Sequence, residues 1–149
     1  MQQNLLPPRL FQIGLILMVV LDLMLGGRPV FAGGISLVAG IILILAGIGI
    51  TIGGAGQFSR VKTNINTFYK PDHLVTDGFF RWSRNPMYLG FAMVLTGAAL
   101  VLNSWEGLII ATGFVIIADR WYIGFEEAVM TETFGEAYKA YCRTTRRWL

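Results

Sequence analysis

Phe31-Ala32-Gly33-Gly34-Ile35-Ser36-Leu37-Val38-Ala39-Gly40-Ile41-Ile42-Leu43-Ile44-Leu45-Ala46-Gly47-Ile48-Gly49-Ile50-Thr51-Ile52-Gly53-Gly54-Ala55-Gly56 is an apolar, glycine-rich run without a single charge. No charged residue occurs between Arg28 and Arg60. That interval exceeds the ~20 apolar residues with which a helix crosses a bilayer. It predicts a membrane-spanning helix at about residues 31–56. The glycines inside it follow helical spacing. Gly47, Thr51 and Ala55 recur every fourth residue, as do Gly49 and Gly53. Small residues at that spacing let helix backbones approach closely in lipid. They are not a nucleotide loop: G-x-G-x-x-G is absent, and no strand–turn–helix pattern surrounds them.

The rest of the chain agrees with a membrane setting. Of 149 residues, 54% are hydrophobic and 14% charged, against ~25% charged in an ordinary soluble domain. The length suits one domain, 1–149. The net charge of +3 reads as loop asymmetry facing anionic lipid rather than a nucleic-acid footprint. Cys142 is the lone cysteine, so no internal disulfide can form, and one His and one thiol supply too few ligands for a structural metal site. Arg9 before an apolar run and Val30-Phe31-Ala32 after it loosely resemble a cleaved signal. Asp22 within that run, and the span close behind it, favour a retained first helix.

Three more apolar runs, at about 10–25, 86–104 and 108–125, bring the expectation to four spans in two hairpins. Pro86 suits the first turn of a helix, where its missing N–H costs nothing. Asn103-Ser104-Trp105-Glu106-Gly107 is a tight turn. Met130, Phe134, Tyr138 and Tyr141 form one apolar stripe, which predicts a single amphipathic helix after the last span. The fold expected is therefore an all-α polytopic bundle with a C-terminal amphipathic helix. Lys and Arg set its orientation. Arg60, Lys62, Lys70, Arg81 and Arg84 crowd the 57–85 loop, and Lys139, Arg143, Arg146 and Arg147 crowd the tail, whereas the opposite turns hold Arg28. The N-terminus, residues 57–85 and the tail should all be cytoplasmic. Phe68, Tyr69, Phe79, Phe80 and Trp82 in that basic loop read as interfacial aromatics, not a base-stacking surface.

Two polar clusters flank the last hairpin. His73, Arg84 and Asn85 precede a helix start, whose unpaired N–H groups and partial positive charge suit a carboxylate. Glu126 and Glu127 follow the fourth span, where paired carboxylates suit a cationic group or ribose hydroxyls. The simpler alternative is that Arg84 snorkels to headgroups, Asn85 caps the helix and the two Glu are solvated. Ionisable groups at membrane depth are functional candidates by default, which singles out Asp22 and Asp119. At a 3.6-residue period Asp119, Tyr122 and Glu126 share one face, with Arg120 and Glu127 on the neighbouring one. Asp119 either lines the pocket with Glu126 or pairs with a loop cation.

The ordered set His73-Leu74-Val75-Thr76-Asp77-Gly78, Arg84-Asn85-Pro86-Met87-Tyr88-Leu89-Gly90, Glu126-Glu127 and Phe134-Gly135-Glu136-Ala137-Tyr138-Lys139-Ala140-Tyr141 resembles the integral-membrane methyltransferase family that includes isoprenylcysteine carboxyl methyltransferases and phospholipid N-methyltransferases. The likeness spans roughly residues 60–147 and is to a bacterial- or archaeal-type member, which implies an inner or plasma membrane. It implies S-adenosyl-L-methionine bound between 73–90 and 126–143, with a lipid-like or prenylated acceptor entering from the bilayer. Contacts to the cofactor are implied for His73, Leu74, Val75, Gly78, Arg84, Asn85, Pro86, Tyr88, Glu127 and Tyr138. Catalytic roles fall to Glu126, Glu127 and, as the nearest cation, Arg120. Asn85 stands where the prenylcysteine branch has His. Tyr122 stands where that branch has an Arg suited to a substrate carboxylate, which leaves a phospholipid amine or another apolar acceptor open. The rival class is a small proton-coupled exporter using Asp22, for which the long polar 57–85 loop has no use.

Overall fold

The computed structural model describes residues 6–26, 29–31, 34–61 and 72–149. Lys62, Phe68, Tyr69 and Lys70, counted above in the basic loop, lie outside the described residues, as does Arg28. The described chain is helical: α1 (Pro7–Leu25), α2 (Ile35–Val61), a 3-10 turn (Gly78–Arg81), α3 (Pro86–Leu102), α4 (Trp105–Ile117), a π-helical turn (Ala118–Ile123), α5 (Gly124–Phe134) and α6 (Glu136–Thr144). Among the described residues, three stretches are long and apolar enough to cross a membrane: Pro7–Leu25, Ile35–Arg60 and the continuous Trp105–Phe134. Pro86–Leu102 is a shorter apolar helix of 17 residues.

Shape holds the centre together. The most extensive contact is between α2 and α3, which run antiparallel and meet through glycines. A Cβ on Gly40 would lie 2.6 Å from the Gly97 carbonyl oxygen, and one on Gly97 equally close to that of Gly40. Gly47 and Gly90 repeat this relation at 2.6 Å, with Thr51 Oγ1 also against Gly90. The stripe in use on α2 is therefore Gly40 and Gly47, seven apart, with Thr51. Gly49 faces open space instead. On the other side of α3, Met18, Tyr88, Ala92, Leu95, Phe114, Ala118, Tyr122 and Ile123 form the main core. Ile35, Ile42, Leu45, Ile52, Leu23, Met24 and Ile109 point outward and are exposed. In water so large an apolar surface would be a liability; in lipid it is the solvent-matched face.

Caps fix the ends. Asn103, at φ 54°, closes α3, and its side chain accepts from Val30 N (3.0 Å) and Phe31 N (2.9 Å). Ser104 caps α4 by accepting from Gly107 N at 3.2 Å. Phe11 stacks on Phe91, and Gly14 lies against Leu95 and Ile110. The starts of α1 and α3 and the end of α2 thus share one end of the bundle. Asp22 lies towards the other end.

Two sequence expectations change. The apolar run at 108–125 and the residues after it form one continuous helix, which runs on to Phe134. The stripe Met130, Phe134, Tyr138 and Tyr141 does converge on one cluster with Val75 and Phe80, but not from one helix. Gly135, at φ 52° and ψ −122°, separates α5 from α6. That conformation is open to glycine and strained for any residue with a Cβ.

Candidate functional site

The two polar clusters meet at the end of the bundle where α3 begins. Pro86 occupies the first turn of α3 as expected. Asn85 does not cap it: its side-chain amide donates to the Arg147 carbonyl at 3.0 Å. Ser83, 1% exposed, accepts from Asn85 N at 3.1 Å and donates to the same Arg147 carbonyl at 3.3 Å. Arg84 N donates to Arg146 O at 2.9 Å. A backbone strip at 145–148 is thereby laid along 83–85.

The Arg84 guanidinium faces three acceptors. Nη2 donates to Glu127 Oε1 at 2.7 Å, and Nη1 donates to the carbonyls of Thr145 (2.9 Å) and Cys142 (3.3 Å). Those carbonyls end α6, where a cation also complements the helix dipole. Burial lowers the affinity of Arg84 for its proton, but the hydrogen bond and charge of Glu127 outweigh it and hold the guanidinium above its ordinary value. Arg84 Nε is buried and has no acceptor among the described residues. Leaving a buried donor unmet costs ~1–3 kcal/mol, more when it is charged, so this atom asks for an acceptor.

Glu127 is held from two sides. Arg147 Nη2 contacts its Oε2 closely, Arg147 Nε reaches Oε1 at 3.2 Å, and Arg147 Nη1 reaches Asp119 Oδ1 at 3.2 Å. Trp148 Nε1 donates to the same Asp119 oxygen at 2.9 Å. The hydrogen bonds that Arg147 donates to Glu127 lead the causes that raise it above its ordinary value; burial opposes them, and Asp119 adds to them. Next door, Tyr88 donates its hydroxyl to Glu126 Oε1 at 2.8 Å, and the Tyr88 ring stacks with Tyr122 at 6.5 Å.

The π-helical turn explains which acids meet. Its i→i+5 bonding inserts one residue into the turn. Residues on either side are rotated relative to a regular helix, so Asp119 shares Arg147 with Glu127, at i+8, rather than lining a face with Glu126 at i+7. Arg120 is turned away: its side chain is 86% exposed and its carboxylate partner is Asp119, at 3.8 Å. The structure does not bring it to Glu127.

The remaining residues form the outer wall. Tyr138 and Tyr141 are buried with Val75 and Phe80, with Leu74 packed against them. Tyr141 donates to Phe80 O at 2.5 Å. Burial, first of all, pushes both phenols above their ordinary value, and the charge of Glu127 adds to this at Tyr138. Gly78 opens the 3-10 turn at φ 56°, and the Gln57 side chain occupies the space a Cβ would need. Gln57 ties that turn to α2 through Asp77 O (2.9 Å) and Phe79 N (3.0 Å). His73 is exposed, at the edge of this wall. Beside the turn, a groove of about 700 Å³ is lined by Ile52, Gly53, Gly56, Phe79 and Trp82, with Arg60 on its polar side.

Ser83, Arg147 and Trp148 carry contacts that sequence reasoning did not single out. Arg147 drew notice there as one of several tail charges. Asp22, the basis of the exporter alternative, is remote from all of these residues. Its Oδ1 is buried without a hydrogen-bond partner among the described residues.

No solved structure matches the chain. An uncharacterized protein of Haemophilus influenzae (strain Rd) is 33% identical over 66 residues, which cover 42% of this chain and 100% of that protein. The model of the phospholipid methyltransferase family matches residues 35–137, which include α2, α3, α4, Arg84 and both glutamates. More than half of the chain lies within that match, and this integral-membrane protein belongs to the phospholipid methyltransferase family.

Proposed function

We propose that this chain is an S-adenosylmethionine-dependent methyltransferase acting on a lipid-like amine at the cytoplasmic face of the membrane. One observation carries the reading. Arg84 meets Glu127 and Tyr88 meets Glu126, so residues about forty positions apart converge where α3 starts. Family membership supplies the methyl-transfer chemistry.

The donor set suits the cofactor. The buried Arg84 Nε–H lacks an acceptor among the described residues and matches the carboxylate of the methionine moiety. Leu74, partly buried against the Val75 and Tyr138 cluster, offers apolar surface to the rest of the molecule. When bound, S-adenosylmethionine supplies a methyl group on a sulfonium whose positive charge disappears as the methyl departs. A site that excludes water therefore favours transfer, and positioning supplies most of the remainder.

The two glutamates divide the work. Both oxygens of Glu127 are committed to guanidinium groups, so we assign it to holding the cofactor end of the site. Glu126, oriented by the Tyr88 hydroxyl, is assigned to take the proton that the acceptor amine must lose before its lone pair attacks the methyl carbon. The groove lined by Ile52, Gly53, Phe79 and Trp82 supports an apolar acceptor. Its Arg60 matches a lipid phosphate in charge.

The same reading takes α3 as a fourth span. Its 17 residues rise about 25 Å against ~30 Å of hydrocarbon, within the range of spanning helices, and it is paired along its length with α2. Residues 1–149 then form one domain. The basic 57–85 loop, the N-terminus and the tail lie in the cytoplasm under the positive-inside rule.

The test is transfer of labelled methyl from S-adenosylmethionine into a membrane lipid extract by the purified, detergent-solubilised protein. Label in an amine-bearing lipid supports the reading. Absence of label from every lipid class, in protein that is folded, overturns it.

A further inference from the structure

We propose that Arg147 is a positioning residue of the methyl-transfer site, fixing the Glu127 carboxylate by anchoring it to Asp119 in the π-helical turn. The proposal rests on the cofactor site described above. It adds a residue outside the matched 35–137 region and outside the motifs that carry the family resemblance.

The geometry is specific. Arg147 touches both oxygens of Glu127, one through Nε (3.2 Å) and one through Nη2, while Nη1 reaches Asp119 at 3.2 Å. Arg84 takes Glu127 Oε1 from the other side at 2.7 Å. A carboxylate gripped by two guanidiniums cannot rotate about its terminal torsion, and the fork geometry of Arg suits it to this in a way that a single ammonium does not. The anchor is itself anchored. Trp148 Nε1 holds Asp119 at 2.9 Å, and the Arg147 carbonyl is fixed by Ser83 Oγ (3.3 Å) and Asn85 Nδ2 (3.0 Å).

The π-helical turn belongs to the same arrangement. A regular helix through 118–123 would place Asp119 in register with Glu126. The inserted residue aligns it with Glu127 instead, so one guanidinium reaches both. Such turns recur at functional sites. Arg120, the neighbouring cation, is 86% exposed; Arg147 is the second cation on Glu127.

The test is binding of labelled S-adenosylhomocysteine to wild type, Arg147→Ala, Arg147→Lys and Asp119→Asn, each with its thermal midpoint recorded. Arg147→Ala should bind roughly 10–100-fold more weakly, the range for loss of hydrogen bonds to a charged group. Arg147→Lys should fall between it and wild type, and guanidinium well below denaturing concentration should restore binding to Arg147→Ala where equal sodium chloride does not. Asp119→Asn, which leaves Arg147 on Glu127 but loosens its anchor, should lose less than Arg147→Ala. It keeps the proposal testable if Arg147→Ala fails to fold.

A lowered midpoint with unchanged affinity would make Arg147 a structural brace and overturn the proposal. So would binding tighter than wild type, which would mean that residues 145–148 compete for the site. Wild type that is folded and does not bind would overturn the cofactor reading, and this proposal with it. That failure is distinct because it appears without any substitution.

Discussion

The α2–α3 interface and the Arg84–Glu127–Arg147 cluster hold the same helix, α3, by opposite means. Along its length α3 is held by what is missing: glycines at 40, 47, 90 and 97 remove side chains so that backbones touch. At its start it is held by what is present, two guanidiniums and the carboxylates they bind. Lipid tails are as apolar as Leu, so an interface between spans gains little from hydrophobic side chains and relies on close contact. At the bundle end, partial burial strengthens charge pairs and makes each unmatched partner costly. Bulk should break the first region, and loss of charge the second.

The largest effect is expected at the glycines. Gly90→Leu places a side chain against Thr51 and the Gly47 carbonyl. Backbone on both sides cannot yield as a side chain would, so a loss of at least ~3 kcal/mol, the upper end for overpacking, should appear as failure to recover folded protein by size-exclusion chromatography. Gly49→Leu, facing open space, should be recovered normally, and the contrast isolates contact from composition.

Arg84→Ala comes next, at about 2–3 kcal/mol of stability. It removes a partner of Glu127 and also uncovers the Cys142 and Thr145 carbonyls at the end of α6. Thermal unfolding in detergent reads this loss, and Arg84→Lys should recover only part of it. Tyr88→Phe keeps the ring against Tyr122 and loses one hydrogen bond to Glu126. About 1–2 kcal/mol is expected there, with methyl transfer reduced more than cofactor affinity.

The smallest and most local effect is alkaline. Burial holds the Tyr138 and Tyr141 phenols above their ordinary value. Their contribution to stability is complete below pH ~10, the ordinary phenol value, and is lost as the pH rises through their raised values in the fold. Tyrosinate absorbance should show these two groups ionising only together with unfolding. Ionisation in folded protein near pH ~10 would mean that the Val75–Phe80–Tyr138–Tyr141 wall is open.

How much of this was legible in the sequence differs between the two regions. The charge-free run ahead of Arg60 is enough to mark α2 as a membrane span, and the motifs singled out Arg84 and Glu127, whose side chains meet at 2.7 Å. The glycine register was half legible: a four-residue spacing pointed to Gly47 and Thr51, whereas the partner stripe also runs through Gly40, seven residues earlier. The π-helical turn was not legible. No residue type marks an i→i+5 turn, so the 3.6-residue period grouped Asp119 with Glu126 and kept Arg120 near the acids. The 145–148 strip was hidden for another reason: it binds Ser83, Arg84 and Asn85 largely through backbone carbonyls, which carry no side-chain pattern. The break at Gly135 was visible as a glycine, but the apolar stripe continues across it.

The central claim is that the two polar clusters form one cofactor site around Glu127, and calorimetric titration with S-adenosylhomocysteine tests it most directly. Wild type should show saturable binding to one site. Glu127→Gln, nearly isosteric but unable to pair with Arg84 and Arg147 as a charge, should lose that binding while its circular dichroism and elution stay those of wild type. Equal affinity in the two proteins would contradict the account, because a carboxylate held by two guanidiniums at the start of α3 would then have no part in the site.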